Sequence, residues 1–241
     1  MTGMRLAGGG PVIPNFGQPS SCLKHNGWFC TDWMTKHWGD ILQPALVQHV
    51  ELTLLAVGIG FALSFVLALV GFRWTLFDPP LGALGDFLYT IPSLALFQLL
   101  VPLTGVTVTS VEVALTSYTL FILYRNIVSG LRSVPAEVLE SARGMGLTRF
   151  QTFLRVELPL ATPAIFAGVR IATVSTISIA TVAAFLIQDG LGYPIFDALG
   201  TPDIFKTELA AAGGLAILLA LTADALIAGM QRVLTPWSRV R

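Results

Sequence analysis

The segment PAEVLESARGMGLTRFQTFLRVELP, residues 135–159, is the only long charged stretch that lies between apolar runs of this sequence. Arginines recur in it at six-residue steps, at Arg143, Arg149 and Arg155, and glutamates flank them. A charge near the centre of a bilayer costs about 2.5–3.5 kcal/mol on translocon-insertion scales, so a stretch with this many charges belongs outside the hydrocarbon region. We therefore place the segment at a membrane surface.

The first half of this segment has the signals of a short helix. Pro135 suits the first turn of a helix, because its missing N–H group would have no partner there. Glu137 follows near the positive end of the helix dipole. Gly144 or Gly146 can adopt the left-handed conformation that ends helices, so we expect the helix to stop at one of them.

The second half predicts another helix. Thr148-Arg-Phe-Gln151 has the spacing of a capping box, in which each of the two end residues bonds through its side chain to the backbone N–H of the other. Pro159 is expected to end or kink this helix. The whole segment is therefore interpreted as a helix, a glycine elbow, a short helix and a proline.

The composition places the whole chain among membrane proteins. Of its 241 residues, 54% are hydrophobic and 12% are charged, whereas a soluble domain usually has about 25% charged residues. The fourteen basic and fourteen acidic residues cancel, and no basic patch indicates nucleic-acid binding. None of the three lysines follows a glycine, so the chain has no Walker loop for ATP. We expect no enzymatic activity and no bound cofactor.

Five apolar runs are long enough to cross a hydrocarbon core of about 30 Å, which takes about 20 helical residues. They lie at about 50–72, 82–103, 107–128, 163–187 and 208–231. The second run contains Pro92, which a membrane helix tolerates when neighbouring groups satisfy the carbonyl that loses its donor. The sequence predicts an all-α membrane protein of about five transmembrane helices.

The basic residues indicate the orientation of these spans. Five arginines lie at the end of the third run or between it and the fourth, and three follow the fifth. The connection 188–207 instead carries three aspartates against one lysine. By the positive-inside rule, the segment 135–159 and the C-terminus are cytoplasmic. Five spans then place the N-terminus outside, which Lys24 and Lys36 oppose slightly.

Residues 1–44 differ from the rest of the chain. A Gly-, Pro- and Ser-rich opening is followed by Trp28, Trp33 and Trp38, five residues apart. The opening lacks the apolar core and cleavage site of a signal peptide, and residues 1–26 are expected to be disordered. The tryptophan-rich part either lies in the headgroup region or is a loose tail whose aromatic rings touch lipid.

Two cysteines, Cys22 and Cys30, lie in this N-terminal segment. They could form a disulfide if the segment is extracytoplasmic, but nothing in the sequence forces the bond, and we favour two separate cysteines. No Cys-x-x-Cys motif is present, and His25 and His37 are poorly spaced for zinc. No metal site is expected.

Few ionisable residues fall within the apolar runs, and each needs a reason. Arg170 lies near the cytoplasmic end of the fourth run and Asp224 in the inner half of the fifth, so both reach similar depths. We hypothesise that they form an ion pair, within one chain or across a dimer; alternatively, each extends to the inner headgroups. Asp86 is expected to pair with Arg73 or to lie in the inner interface, and Glu112 is expected to be solvated.

The connection QDGLGYPIFDALGTP, residues 188–202, is too rich in glycine and proline for a helix through lipid. We expect a re-entrant or surface loop on the outer face, where protein or water can cover irregular backbone. A plain connector is the alternative.

The charged segment also resembles a known motif. Glu140-Ser141-Ala142, three residues, Gly146, nine residues and Val156-Glu157-Leu158-Pro159 are similar to the E-A-A-x-x-x-G-x₉-I-x-L-P loop of ABC importer permeases. Ser141 replaces an alanine of that motif and Val156 an isoleucine. In that family the loop is the cytoplasmic coupling helix, which seats in a groove of the ATPase subunit. The resemblance implies a type I ABC importer permease bundle.

Shorter strings resemble one branch of that family, the permeases for glycine betaine, choline, carnitine and related osmoprotectants. They are Tyr89-Thr-Ile-Pro92-Ser-Leu-Ala-Leu96, Tyr124-Arg125-Asn126, Gly144-Met-Gly-Leu-Thr148, Val156-Glu-Leu-Pro-Leu160 and Ala167-Gly-Val-Arg170. Gln188-Asp189-Gly-Leu-Gly192 stands where that branch has a glycine-rich turn, with Asp189 in place of a small residue. The resemblance implies a permease domain at 45–235, preceded by the extension 1–44 and followed by the cytoplasmic tail 236–241.

The resemblance also implies roles for individual residues. Glu140 would orient the coupling helix, Gly146 would form its elbow, and Arg143 and Arg149 would make polar contacts with the ATPase. The full set implied in ATPase coupling is Glu137, Glu140, Ser141, Ala142, Arg143, Gly144, Gly146, Leu147, Arg149 and Phe150. The residues implied to be structural in the loop are Val156, Leu158 and Pro159, and those implied at an outer gate are Asp189, Gly190 and Gly192.

Partners follow from the same resemblance. A dimer of ATP-binding subunits would hold ATP and Mg²⁺, and a second permease subunit, identical or paralogous, would complete the path. An extracytoplasmic binding protein would deliver a small compatible solute such as a quaternary ammonium compound. The chain would lie among lipids in a prokaryotic cell membrane, without nucleic acid. The alternatives are a permease for amino acids or other small polar solutes, and a carrier without ATP, which the scarcity of intramembrane charges disfavours.

Overall fold

The computed structural model describes Cys22 and residues 25–239, so the predicted disorder of residues 1–26 falls almost entirely outside the described residues. Within the described residues all regular structure is helical. The helices are α1 (Thr31–Lys36), α2 (Gln43–Arg73), α3 (Asp78–Thr90), α4 (Ser93–Thr104), α5 (Val108–Arg132), α6 (Ala136–Gly144), α7 (Arg149–Thr152), α8 (Leu158–Val182), α9 (Gly192–Gly200) and α10 (Lys206–Leu234). Two π-helical turns, Trp38–Leu42 and Phe153–Glu157, lead into α2 and α8, and 3₁₀ turns follow at Ala183–Phe185 and Pro236–Arg239.

Helix α5 lies at the centre of the bundle. It packs along α2 and α8 and also contacts α3 and α4. We call the end of the bundle that carries α6 and α7 the inner end, and the end that carries α9 the outer end. An outer apolar cluster around Phe97 and Leu115 and an inner one around Leu123 and Ile127 line α5. About half of the α5 residues are buried, so its neighbours shield it from lipid.

Small residues let the central helices approach one another closely. A Cβ atom added at Gly60 of α2 would lie 2.0 Å from the Thr119 hydroxyl oxygen of α5. One added at Gly168 of α8 would lie 2.5 Å from the Cβ of Asn126. Both distances are far inside van der Waals contact, so these crossings require glycine. The Thr119 hydroxyl also donates to the Ala56 carbonyl of α2 at 3.2 Å.

Among the described residues, three helical segments are long and apolar enough to cross a membrane: Trp38–Arg73, Arg149–Phe185 and Lys206–Leu234. The pair α3 and α4, bent by 100°, makes a fourth if it is one span. Helix α5 stands at the third predicted run, but it carries two arginines and a glutamate and is not among these apolar segments. Helices thus occupy all five predicted runs, and the predicted all-α class is confirmed.

The second predicted run is broken. The ring of a proline drives the preceding residue out of the helical region, and Ile91 adopts ψ 124° before Pro92. The Ile91 carbonyl accepts a hydrogen bond from the hydroxyl of Tyr118 on α5. A neighbouring helix therefore satisfies a carbonyl at the break. The carbonyl that loses its donor to Pro92 is that of Leu88, and it accepts from the Ile91 N–H at 3.4 Å.

Pro159 does not end its helix, which was one of the two predicted outcomes, the other being a kink. The helical segment runs from Arg149 to Phe185 and includes the π turn Phe153–Glu157. In that turn the Leu158 N–H bonds to the Phe153 carbonyl, five residues back. The wider turn departs from the i→i−4 pattern just before Pro159, which then lies in the first turn of α8. Its ring and its missing N–H are accommodated there.

The outer connection contains a helix, where the sequence predicted a loop through residues 188–202. Residues Gly192–Gly200 form α9. Pro194 lies in its first turn, where a missing N–H costs little. Ile195 and Ala198 join an apolar cluster with α10, and the burial of these side chains outweighs the low helix propensity of the stretch.

The residues before α2 form a folded cap on the outer end, and we call Cys22 with residues 25–42 the outer cap. Cys22 and Cys30 are joined in a disulfide, with their Cα atoms 5.8 Å apart. The interpretation that favoured two separate cysteines was therefore wrong. Trp33 is 7% exposed and packs edge-on against Phe205, in an apolar cluster shared with α9 and α10.

Burial of Trp33 contradicts the loose-tail alternative for the tryptophan-rich part, while Trp28 and Trp38 are exposed. Asn26 ties the cap to the loop before α10. Its side chain donates to the Asp203 carbonyl at 2.8 Å and accepts from the Lys206 N–H at 3.0 Å. The described part of the extension is thus packed against the bundle.

Candidate functional site

Helix α6 ends in a glycine elbow. Gly146 has φ +81°, and its N–H bonds to the Arg143 carbonyl at 2.9 Å. The Leu147 N–H bonds to the Ala142 carbonyl at 3.2 Å. This pair of bonds is the Schellman motif, which needs a left-handed residue and so favours glycine. Of the two glycines predicted to stop the helix, Gly146 turns the chain and Gly144 is the last helical residue.

The predicted capping box begins α7. The Thr148 N–H donates to the Gln151 side chain at 2.9 Å, and the Gln151 N–H donates to the Thr148 hydroxyl at 3.3 Å. The two short helices contact each other and the following π turn. Local hydrogen bonds therefore fix the angle between α6 and α7.

The elbow exposes two large apolar side chains. Met145 is 74% exposed and Phe150 is 70% exposed, and Glu140, Arg143 and Arg149 are exposed in the same segment. Exposed apolar side chains with polar neighbours are typical of protein–protein contact sites. Met145 was absent from the predicted coupling residues, although an apolar residue between two glycines of a charged loop was an available signal.

The predicted structural residues of the segment lie on its bundle side. Val156, Leu158 and Pro159 are half-buried, and Leu158 contacts the inner apolar cluster. Ala142 is fully buried and Leu147 half-buried. The exposed members of the predicted coupling set are Glu137, Glu140, Ser141, Arg143, Gly144, Gly146, Arg149 and Phe150. The segment thus has one packed side and one side open to a partner.

Arg170 of α8 and Asp224 of α10 form a bidentate ion pair within one chain. The Arg170 Nε lies 2.7 Å from one Asp224 carboxylate oxygen, and its Nη2 lies 2.8 Å from the other. Both side chains are about one third exposed. The guanidinium fork matches the carboxylate geometry, so the pair joins the two helices at a defined register.

A polar cluster that the sequence analysis missed lies at the inner ends of α3 and α5. Asp78 accepts from the Tyr124 hydroxyl at 2.7 Å and from the Arg132 guanidinium at 2.8 Å. An open cavity of about 460 Å³ lies beside it and reaches Ser129 and Ser133. The partners are 46 and 54 residues from Asp78 along the chain, so no local pattern reveals them.

Asp86 accepts from the Arg125 guanidinium at 2.5 Å. Arg73, the partner considered from the sequence, is therefore not its partner. Both side chains of the observed pair are about half exposed. The Arg125 guanidinium also lies 5.9 Å from the centroid of the Phe121 ring, within cation–π range.

The predicted gate residues Asp189 and Gly190 lie between α8 and α9, and Gly192 is the first residue of α9. Gly190 has φ +72°, and its N–H bonds to the Gln48 side chain of α2 at 3.1 Å. A Cβ atom at Gly192 would lie 2.1 Å from the Thr181 carbonyl oxygen. The turn is therefore closely packed against its neighbours.

His49 supports this turn and was given no role from the sequence. It is fully buried, with its Nε2 3.0 Å from the Ile177 carbonyl oxygen and its Nδ1 3.2 Å from the Leu191 amide nitrogen. A carbonyl only accepts and an amide N–H only donates, so we assign the neutral tautomer with its proton on Nε2. The ring thus links α2 and α8 to the turn that contains the predicted gate residues.

Glu112 near the outer end of α5 is half-buried, and both of its carboxylate oxygens are buried rather than solvated, contrary to the prediction. Neither of its carboxylate oxygens has a hydrogen-bond partner among the described residues. The physical reason is the central place of α5, which other helices contact along its length.

Comparison with known proteins identifies the family of this chain. Residues 56–240 match the family described as the binding-protein-dependent transport system inner membrane component. The chain belongs to this family of permeases. The permease is an inner-membrane component of an ABC importer, and the outer cap precedes the family region.

Relatives of the permease carry transport names. The osmoprotectant import permease protein OsmW of Salmonella typhimurium is 38% identical over 197 residues, which cover 78% of this chain and 89% of OsmW. The choline transport system permease protein OpuBB of Bacillus subtilis is 34% identical over 190 residues, which cover 78% of this chain and 86% of OpuBB. The predicted resemblance to osmoprotectant permeases is thereby confirmed.

Solved structures share the fold of the permease. A chain of the MetNI methionine ABC transporter, in an inward-facing conformation, has a TM-score of 0.69 at 18% identity, covering 81% of this chain and 99% of that one. A chain of an amino acid ABC transporter has a TM-score of 0.68 at 19% identity, covering 83% and 96%. The predicted type I importer permease bundle is confirmed.

Proposed function

We propose that the permease forms half of the translocation path of an ATP-driven importer for a small solute with a quaternary ammonium group. Its relatives are named for osmoprotectants, for choline, and for glycine betaine, carnitine and choline together. Glycine betaine, carnitine and choline each carry a trimethylammonium group. That shared group is the substrate class that these names support.

The elbow between α6 and α7, which we call the coupling elbow, is the observation that supports coupling to an ATPase. Two short helices at a fixed angle expose Met145 and Phe150 beside charged residues, which is the surface that docking on another protein requires. Glu140 orients α6 and Gly146 turns the chain, and the exposed arginines Arg143 and Arg149 supply polar contacts. The partner at this surface is the ATPase subunit.

The ATPase and the solute-binding protein are other polypeptides. The chain has no Walker loop, so a dimer of ATP-binding subunits holds ATP and Mg²⁺ and hydrolyses the nucleotide. A second permease subunit, identical or paralogous, completes the path. ATP-driven closure of the ATPase pushes the coupling helices together, and the outward-open state then accepts solute from a binding protein.

Recognition of the cation belongs to that binding protein. A quaternary ammonium group cannot donate a hydrogen bond, and an aromatic cage attracts it through cation–π interaction. The permease needs no such cage of its own. Its outer gate is the turn at Asp189, Gly190 and Gly192, whose position Gln48 and His49 hold through hydrogen bonds.

Two observations support an orientation with the coupling elbow and the C-terminus in the cytoplasm. Arginines are concentrated at the inner end, as the positive-inside rule requires. The outer cap at the other end contains a disulfide, and disulfides persist in oxidising, extracytoplasmic compartments. The N-terminus then lies outside the cell membrane.

Co-purification and ATPase measurements test the proposed function. The permease, used as bait in detergent, is expected to retain an ATPase subunit whose activity rises when the companion binding protein and solute are added. Glu140→Ala is expected to abolish this stimulation, because it removes the side chain that orients α6. Glu51→Ala is the matched control, since Glu51 is an exposed glutamate of α2 at the outer end.

Uptake into proteoliposomes then tests the substrate class. Choline and glycine betaine are expected to be imported with ATP, and competition by an amino acid without a quaternary nitrogen is expected to be weak. Import of such an amino acid in preference to choline would contradict the proposed quaternary ammonium substrate and favour a permease for amino acids. Solute movement by the chain alone, without a bound ATPase, would overturn the importer and favour a carrier.

A further inference from the structure

One face of α3 carries two aspartates that have no role in the proposed ATPase docking or outer gate. Asp78, Gly82 and Asp86 are spaced four residues apart, so they share a face of the helix. We call these three residues the aspartate face. The side-chain hydrogen bonds of its two aspartates come from α5, the helix that leads into the coupling segment.

Asp78 uses both carboxylate oxygens in this contact. One accepts from the Tyr124 hydroxyl at 2.7 Å and the other from the Arg132 guanidinium at 2.8 Å. The Asp78 side chain is only 20% exposed. Arg132 is the last residue of α5, and α6 begins at Ala136, so this contact lies within one helical turn of the coupling helix.

Asp86 and Gly82 hold a second point on α5. Asp86 pairs with Arg125 at 2.5 Å. A Cβ atom at Gly82 would lie 3.3 Å from the Arg125 guanidinium carbon, so glycine leaves the space that the guanidinium occupies. The arginine thus lies flat against α3 between its polar partner and the Phe121 ring, at cation–π distance.

Helix α3 is also held to α5 at its other end. At the break before α4, the Ile91 carbonyl accepts from the Tyr118 hydroxyl of α5. Contacts at Asp78, Asp86 and Ile91 therefore run along the whole length of α3. A shift of α5 must carry α3 with it or break hydrogen bonds to charged groups.

We propose that the aspartate face is the element that transmits movement of the coupling helix to the broken span formed by α3 and α4. This inference rests on the proposed function. Movement of α6 shifts the inner end of α5 through Arg132, and the aspartate face passes the shift to α3. The break at Ile91–Pro92 lets α3 move relative to α4, so the outer half of the span need not follow rigidly. Asp78 and Asp86 are positioning residues in this scheme.

A purely stabilising role predicts a different result. Ion pairs as exposed as Asp86–Arg125 contribute little to folding free energy, so their loss should leave the bundle folded. A transmitting role instead predicts that ATP hydrolysis continues while import falls. The two roles are separated by the number of solute molecules imported per ATP hydrolysed.

The test uses the complete importer in proteoliposomes, with its ATPase, its binding protein and radiolabelled choline. Asp86→Arg and Arg125→Asp are each expected to lower the choline imported per ATP by about 2- to 30-fold, the range seen when a coupling network is perturbed. The double variant, which reverses the pair, is expected to recover most of the loss. Glu51→Arg, the same charge reversal at an exposed site of α2, is the control and is expected to keep the wild-type ratio.

Asp78→Asn provides a second variant that preserves shape in case a charge reversal prevents folding. It is expected to lower the same ratio in a complex that still assembles, because asparagine still accepts from Tyr124 but loses its charge toward Arg132. Wild-type ratios in Asp78→Asn and in both single reversals, or a double reversal no better than the singles, would overturn the inference. A wild-type complex that hydrolyses ATP without importing choline, whatever its variants do, would overturn the proposed function itself.

Discussion

At the residue scale, the conformation of Gly146 determines the direction of the coupling segment. Its φ of +81° is one that residues with a Cβ atom rarely adopt. The Schellman bonds on either side depend on that conformation. A single backbone angle therefore sets the direction in which α6 and α7 are presented at the inner end.

Gly146→Ala is expected to weaken binding of the ATPase subunit by about 5- to 30-fold. The physical reason is a strain of about 1–2 kcal/mol for a left-handed residue with a Cβ atom, and that energy corresponds to about this factor in an equilibrium constant. The measurement is titration of the purified ATPase against the detergent-solubilised permease.

Gly144→Ala is the matched control for this prediction. Gly144 is helical, and a Cβ atom there would meet nothing within 4 Å, so alanine should keep or slightly improve binding. Equal loss in both variants would mean that the left-handed conformation of Gly146 has no special part in docking.

At the scale of elements, the broken span depends on a contact from another helix. Pro92 sets the break, but the position of Ile91 is stable only because the Tyr118 hydroxyl reaches its carbonyl. A buried carbonyl without a donor costs about 1–3 kcal/mol. The break is thus a property of α3, α4 and α5 together.

Tyr118→Phe is expected to lower the free energy of unfolding by about 1–3 kcal/mol, because it removes the donor and leaves the ring in place. Thermal unfolding in detergent measures the change. Tyr89→Phe is the control, since the Tyr89 side chain is 49% exposed and no hydrogen bond of its hydroxyl supports the break. An unchanged midpoint in Tyr118→Phe would show that water or lipid satisfies the Ile91 carbonyl equally well.

What the sequence could predict follows from the distance between interacting residues. The capping box at Thr148 and the glycine elbow involve neighbours along the chain, so the sequence alone predicted them. The bonds of Asp78 span 46 and 54 residues, and no periodicity encodes them. Helix α9 was also missed. Its glycine and proline residues disfavour a helix, and it is stabilised by burial against α10, which the local sequence does not show.

At the scale of the whole molecule, the two ends of the bundle have different chemistry. The inner end holds the glycine elbow and the arginines of α5, and the outer end holds the predicted gate residues and a disulfide-containing cap. The cap also packs against the loop that precedes α10. This difference between the two ends lets orientation in the membrane be tested with one labelling site at each end.

The outer cap is expected to be labelled from outside the cell membrane. Cys22 and Cys30 are the only cysteines of the chain, so in spheroplasts a membrane-impermeant maleimide should label the permease after mild reduction and not before it. The expected order follows from a disulfide in an oxidising compartment, whose sulfurs react only once the bond is reduced.

A single cysteine at the elbow completes the experiment. In a Cys22→Ser/Cys30→Ser background, Met145→Cys places a thiol at a side chain that is 74% exposed. Because the proposed orientation places the elbow in the cytoplasm, the same reagent should label this variant only after the spheroplasts are permeabilised. Labelling of Met145→Cys in sealed spheroplasts, with native cysteines labelled only after permeabilisation, would reverse the orientation. The disulfide would then have to persist in a reducing compartment, which the chemistry of cytosolic thiols disfavours.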